Sequence, residues 1–147
     1  MLTTATGKNP DDILRDEILQ ERAAVLGRAG RSVMSTLEQL QGIEKGIDAA
    51  LASFNRLWGG PEAACGENLS RQRQQKLKEI NGEIRRYNQT RELAKLRFYY
   101  LIVTREALGL RRHQKVEEMY RIPPIKKYLQ QGYRDNGQIQ KTADQDG

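Results

Sequence analysis

Residues 19–58 read LQERAAVLGRAGRSVMSTLEQLQGIEKGIDAALASFNRLW. Leu19, Leu26, Val33, Leu40, Ile47 and Phe54 recur at every seventh position, and Ala23, Gly30, Leu37, Glu44, Leu51 and Trp58 each follow four residues later. A 4,3 alternation of this length is the seam of a long helix lying against another helix. The next part of the chain carries a matching seam: Leu77, Ile80, Ile84, Tyr87, Ala94, Phe98, Leu101 and Leu108, interrupted by Arg91 and Arg105. Together they predict an all-α protein, a long antiparallel helical hairpin with coiled-coil-like seams.

Boundary signals divide the chain around this pair. Residues 1–8 are small and polar and read as a disordered start. Asn9, Pro10, Asp11 and Asp12 open the first helix, over 9–58: Asn9 can cap, Pro10 suits the first helical position, and the aspartates favour the positive end of the helix dipole. Gly42 and Gly46 lie off the seam, so a bend is expected near them, whereas Gly30 on the seam permits close approach. Gly59, Gly60 and Pro61 stop the helix, and a second helix is expected over 69–109 with Gly109 as its end. Two short helices are expected within 111–131, one on Val116, Met119 and Tyr120, the other on Ile125, Tyr128 and Leu129, on either side of Pro123 and Pro124. Residues 9–132 thus read as one domain and 133–147 as a disordered tail.

Leu93, Leu96, Tyr99, Tyr100, Ile102 and Val103 surround the seam of the second helix with further apolar surface. A helix apolar on all sides is buried on all sides. The expected cover is Met119, Tyr120, Ile122, Ile125 and Leu129, which places the short helices at the open end of the hairpin; a second copy of the chain could serve equally.

Composition narrows the function classes. Residues 71–127 hold sixteen basic and six acidic side chains, a local charge of +10. The longest apolar run, Phe98 to Val103, is far too short to span a membrane. No secretory signal opens the chain, and the single cysteine, Cys65, can form no internal disulfide. A soluble, cytoplasmic setting is the expectation. His113 is the only histidine, so a triad or a histidine metal site has nothing to build on, and a solvated place beside Arg111 and Arg112 is the plainer reading. The glycines of Gly27-Arg28-Ala29-Gly30 sit within a helix seam rather than after a strand, which suits packing and not phosphate binding. Cys65, with no histidine nearby, reads as an incidental thiol. No enzyme activity, cofactor, metal or small-molecule ligand is expected.

Three sets of polar residues carry what functional signal remains. In an antiparallel hairpin Glu21 falls level with Arg105 and Glu17 near Arg111, so ion pairs are expected there, although each charge also complements its own helix dipole. Arg91, level with Ser32, Ser35 and Thr36, and Glu44 are polar seam residues that either set the register or face a partner. Arg71, Lys78, Arg85 and Arg86, with Arg73 and Lys76 close by, form a basic face suited to phosphates. Glu79 and Glu83 interleave with them, and no aromatic residue stands among them except Tyr87 on the seam, so a solvated face is the plainer reading.

The stretch Glu17–Arg31, containing Leu26-Gly27-Arg28-Ala29-Gly30-Arg31, and the stretch Arg105-Glu106-Ala107-Leu108-Gly109-Leu110, followed by Tyr120 and Ile122-Pro123, resemble a small bacterial helical family of unknown function. Its members pair an LGRAGR helix with an REA.GL…Y.VP ending. The resemblance implies no activity; it implies that the two stretches belong together. The expected function is non-enzymatic interaction, as scaffold, adaptor or assembly subunit. The partner is a second copy, meeting through Leu51, Phe54, Trp58, Leu77 and Ile80 at the hairpin tip, or another helical protein. The alternative is nucleic-acid binding through the basic face.

Overall fold

The computed structural model describes residues 7, 9–59 and 67–129. Among them are three helices and no strand: α1 (Pro10–Trp58), α2 (Glu67–Ala107) and α3 (Gln114–Met119). The Asn9 carbonyl accepts the amides of Asp12 and Ile13 at 2.9 and 3.1 Å, which starts α1 where the sequence signals place it. The helix continues without a break through Gly42 and Gly46. It stops at Gly59, whose φ of 67° is open to glycine at no steric cost and whose amide reaches the Asn55 carbonyl at 2.9 Å. Gly109, with φ of 86°, ends α2 in the same left-handed region. There Leu110 N–H donates to the Arg105 carbonyl at 2.9 Å and Gly109 N–H to that of Glu106 at 3.0 Å, the two bonds of a Schellman end.

The described residues group into two compact units, each holding part of both long helices: 9–38 with 92–123, and 39–59 and 67–91 with 124–129. In the second unit Leu40, Ile43, Ile47 and Phe54 of α1 and Leu77, Ile80, Ile84 and Tyr87 of α2 are buried. Phe54 meets the Arg73 guanidinium at 5.8 Å, while Lys126 bridges Glu44 and the Tyr87 ring. Numbers fall on one helix as they rise on the other, so the pair is antiparallel.

In the first unit Val33, Ala94 and Leu101 are buried beside Thr36, a fully buried polar residue. Its hydroxyl donates to the Ser32 carbonyl at 3.0 Å and accepts from Arg97 Nη1 at 2.5 Å, so the buried oxygen is satisfied. Arg97 also donates to the Ser32 carbonyl at 3.3 Å. The level assigned from sequence to Arg91 is thus reached by Arg97, nearly two turns further along at about 3.6 residues per turn, where a long side chain can span the gap.

Three further expectations are corrected. Midway along α1 the second row follows the first by three residues, not four: Thr36 and Ile43 are buried, whereas Leu37 and Glu44 lie half-exposed at the margin; at Gly30 and Trp58 the expected spacing of four holds. Both spacings flank the same heptad row, and packing selects between them. The helix expected on Ile125, Tyr128 and Leu129 does not form; 120–129 are non-helical. Pro123 and Pro124 supply no amide hydrogens, and the backbone beyond them is paired elsewhere. Nor is the apolar girdle of α2 covered as expected, since Met119 and Ile125 are themselves 66% and 61% exposed. The expected disordered tail, 133–147, and all of the expected disordered start, 1–8, except Gly7 lie outside the described residues, as does Cys65.

The glycines of α1 separate two effects. A Cβ on Gly42 or Gly46 meets nothing within 4 Å, while one on Gly30 falls 2.9 Å from the Tyr120 hydroxyl. Gly42→Ala and Gly46→Ala are each expected to raise stability by about 1 kcal/mol, the helix-propensity difference. Gly30→Ala is expected to give no such gain, because Tyr120 must move. Urea unfolding of the three variants checks the contrast.

Candidate functional site

The most elaborated polar contacts of the second unit surround residues 124–129. Asn88 Nδ2 donates to the Lys126 carbonyl at 3.0 Å, and its Oδ1 accepts the Lys126 amide at 2.9 Å. Asn81 treats Leu129 the same way, at 3.0 and 2.8 Å. Each asparagine thereby takes both main-chain groups of one residue, as a neighbouring strand would. The spacing makes this possible. Seven residues of α2 advance about 10.5 Å, and three residues of extended chain advance about 9–10 Å. Asparagines seven apart on a helix therefore match every third residue of an extended segment.

Between them lies Tyr87, 1% exposed, with its hydroxyl 3.5 Å from the Pro124 carbonyl, the long limit of a hydrogen bond. Lys126 Nζ sits 3.2 Å from Glu44 Oε1 and 5.1 Å over the Tyr87 ring. Glu44, a polar residue on the sequence seam, is thus held by a cation of the C-terminal segment. Burial pushes the Tyr87 phenol above its ordinary 10.0; Glu44 adds to the rise, while Lys126 and Arg91 oppose it.

The basic face is placed as expected in part. Arg71, Lys78, Arg85 and Arg86 are all exposed. Arg86 lies 3.5 Å from Glu83, and Lys76 lies 3.3 Å from Glu79, so acidic neighbours hold part of the charge. Lys78 and Arg85 line a shallow depression with Asn81, Gly82 and Tyr128. An aromatic ring therefore does stand beside these cations, contributed by a residue far away in sequence. Of the tip residues, Phe54, Leu77 and Ile80 are buried by the chain itself, and Leu51 and Trp58 are half-exposed. Trp58 packs its ring 5.1 Å from that of Phe54. The burial expected from a second copy is largely supplied within the unit.

The expected Glu21–Arg105 pair is replaced. Arg105 Nε donates to His113 Nδ1 at 3.3 Å and Nη2 to the Arg112 carbonyl at 2.9 Å. Because arginine only donates, Nδ1 accepts and the ring hydrogen sits on Nε2, 3.2 Å from Glu106 Oε1. His113 is therefore a half-buried link in the turn after α2 rather than a solvated side chain. The α2 girdle, with Leu93, Leu96, Tyr100 and Val103, forms a second exposed row. Among the described residues no three His, Cys, Asp or Glu side chains gather as a metal set, and no helix is long and apolar enough to cross a membrane.

Asn81, Asn88 and Arg97 escaped the sequence reading, and Thr36, placed by sequence opposite Arg91, pairs with Arg97 instead. The two asparagines had one signal, their seven-residue spacing on a helix, but nothing in the sequence paired them with an extended segment. The two stretches that carry the family resemblance do meet, with Tyr120 seated against Gly30. The chain matches no protein-family model, no curated protein and no solved structure.

Tyr87 gives the site a pH signature. Below pH 10 its phenol is neutral in both folded and unfolded chains. Above that the unfolded chain ionises first, so stability falls until the folded phenol ionises too. Wild type is expected to lose stability between about pH 8 and about pH 11 relative to Tyr87→Phe. Urea unfolding at the two pH values checks this; parallel losses in both proteins would refute it.

Proposed function

We propose that the protein is a non-enzymatic helical interaction module, cytoplasmic in setting, whose first partner is a second copy of itself. One observation carries the reading. Leu93, Leu96, Tyr100 and Val103 are 38–57% exposed and follow 3,4,3 spacing along α2, on the side away from Ala94 and Leu101. Among the described residues no helix lies on this helix-pairing seam. The spacing is symmetric about position 98, so two copies pairing antiparallel set Leu96 of one against Tyr100 of the other, and Leu93 against Val103. Ile13, Leu14, Ile18 and Leu19 of α1 are also exposed in the same unit and add apolar surface.

Magnitudes set the strength. Each large apolar side chain contributes roughly 1.5–3 kcal/mol when fully covered. Four per copy, already about half covered, supply on the order of 6–12 kcal/mol, against an association cost of about 4–15 kcal/mol. The surplus is small, so pairing belongs to micromolar concentrations. At tens of micromolar, light scattering is expected to give twice the monomer mass of 16.8 kDa. Leu96→Glu is expected to return the monomer mass with helicity unchanged. A wild-type mass that stays at the monomer value would sink the self-pairing.

A second reading rests on Tyr128 beside Lys78 and Arg85. A ring flanked by cations is the combination single-strand binders use. If phosphates are held there, affinity for single-stranded nucleic acid falls with salt at a log–log slope of about −0.7 per phosphate contacted. Arg85→Glu with Lys78→Glu abolishes it at constant helicity. Under the first reading, binding is weak even at low salt, and the same substitutions change stability by no more than about 0.5 kcal/mol. Titration at two salt concentrations separates the readings.

A further inference from the structure

The asparagine pair on α2 does more than close off a chain end. Four of its hydrogen bonds read main chain, which any residue supplies. Only one side chain of the bound segment is read: Lys126, between Glu44 and the Tyr87 ring. The apolar side chains of the segment are only partly covered: Ile125 is 61% and Tyr128 54% exposed, and Leu129 is half-buried. A segment built into a fold for stability buries its apolar side chains; this one leaves them about half exposed and is anchored by polar contacts to its backbone. Pro124 keeps the preceding backbone extended without needing a partner for its own nitrogen.

From this we infer that the face of α2 carrying Asn81, Tyr87 and Asn88, with Glu44 beside it, is a docking site for an extended peptide of another protein. The site sets its register by one lysine, and Pro124–Leu129 is the resident that such a peptide displaces. The recognised pattern is Pro-x-Lys-x-x-x in extended form, with Glu44 and Tyr87 reading the lysine and the asparagines reading that residue and the third after it. This site lies on the second unit and is independent of the α2 seam proposed for self-pairing. A resident ligand lowers the apparent affinity for a competitor by the fraction of sites it leaves open. Loosening the resident must therefore strengthen binding in trans, which no purely structural role for 124–129 would produce.

The probe is a fluorescent hexapeptide with the sequence of Pro124–Leu129, titrated by anisotropy into the full-length chain. Lys126→Glu in the protein places like charge beside Glu44 and frees the site. That variant is expected to bind the probe at least tenfold more tightly than wild type. Adding Asn88→Ala is expected to weaken binding at least tenfold. A probe carrying Ile125→Ala and Tyr128→Ala should bind as well as the original, whereas a probe carrying Lys126→Glu should not bind. Failure of the probe to bind a variant of native helicity overturns the inference, as does indifference to Asn88 or dependence on the two exposed side chains. Should Lys126→Glu not fold, hydrogen exchange on the wild-type chain decides. Excess unlabelled hexapeptide is expected to speed exchange at the amides of Lys126 and Leu129, and unchanged protection there refutes the site.

Discussion

The burial of one heptad row of α1 against one of α2 is the constraint on which everything else in this protein rests. Val33, Leu40, Ile47 and Phe54 on one helix and Leu77, Ile80, Ile84, Tyr87, Ala94 and Leu101 on the other carry nearly all of the buried apolar surface among the described residues. Helices of this length, with glycines along one of them, need such packing because propensity alone holds them weakly. Once the rows engage, the rotation of α2 is set. In the second unit this aims Asn81 and Asn88 at residues 124–129 with Tyr87 between them; in the first unit Leu93, Leu96, Tyr100 and Val103 are left exposed.

Polar groups then decide what hydrophobic packing leaves open. Thr36 is fully buried, yet it is bonded to Ser32 and Arg97, so its burial costs little and favours one alignment of the helices over neighbouring ones. Arg105 turns away from the acidic start of α1 because a closer acceptor pair, His113 and the Arg112 carbonyl, becomes available in the turn that Gly109 makes. After Pro123 and Pro124 the chain cannot resume a helix at once. The asparagines of α2 offer its amides and carbonyls a full set of partners in extended form. Local helical periodicity at Ile125, Tyr128 and Leu129 loses to that pairing, since a half-buried backbone must be bonded somewhere.

The apolar girdle of α2 shows the opposite case. Its surface is present in the sequence and remains present in the folded chain, because the short elements after Gly109 do not cover it. Exposed apolar rows with helical spacing are surfaces that another helix can cover, and the proposed interaction role rests on this row.

By itself, the sequence determined the helices, their ends and most of the core. Heptad spacing and the signals at Asn9-Pro10, Gly59 and Gly109 are local, and local chemistry governs helix initiation, termination and which face is apolar. It did not determine the 3,4 choice at Thr36 and Ile43, the replacement of Glu21 by His113 beside Arg105, or the fate of residues 120–129. Nor could it disclose the asparagine site, or Tyr128 beside Lys78 and Arg85. Those depend on which side chains arrive within about 3 Å of one another, and residues nearly fifty positions apart, such as Asn81 and Leu129, meet only when the packing of the two seams has already fixed where each backbone lies.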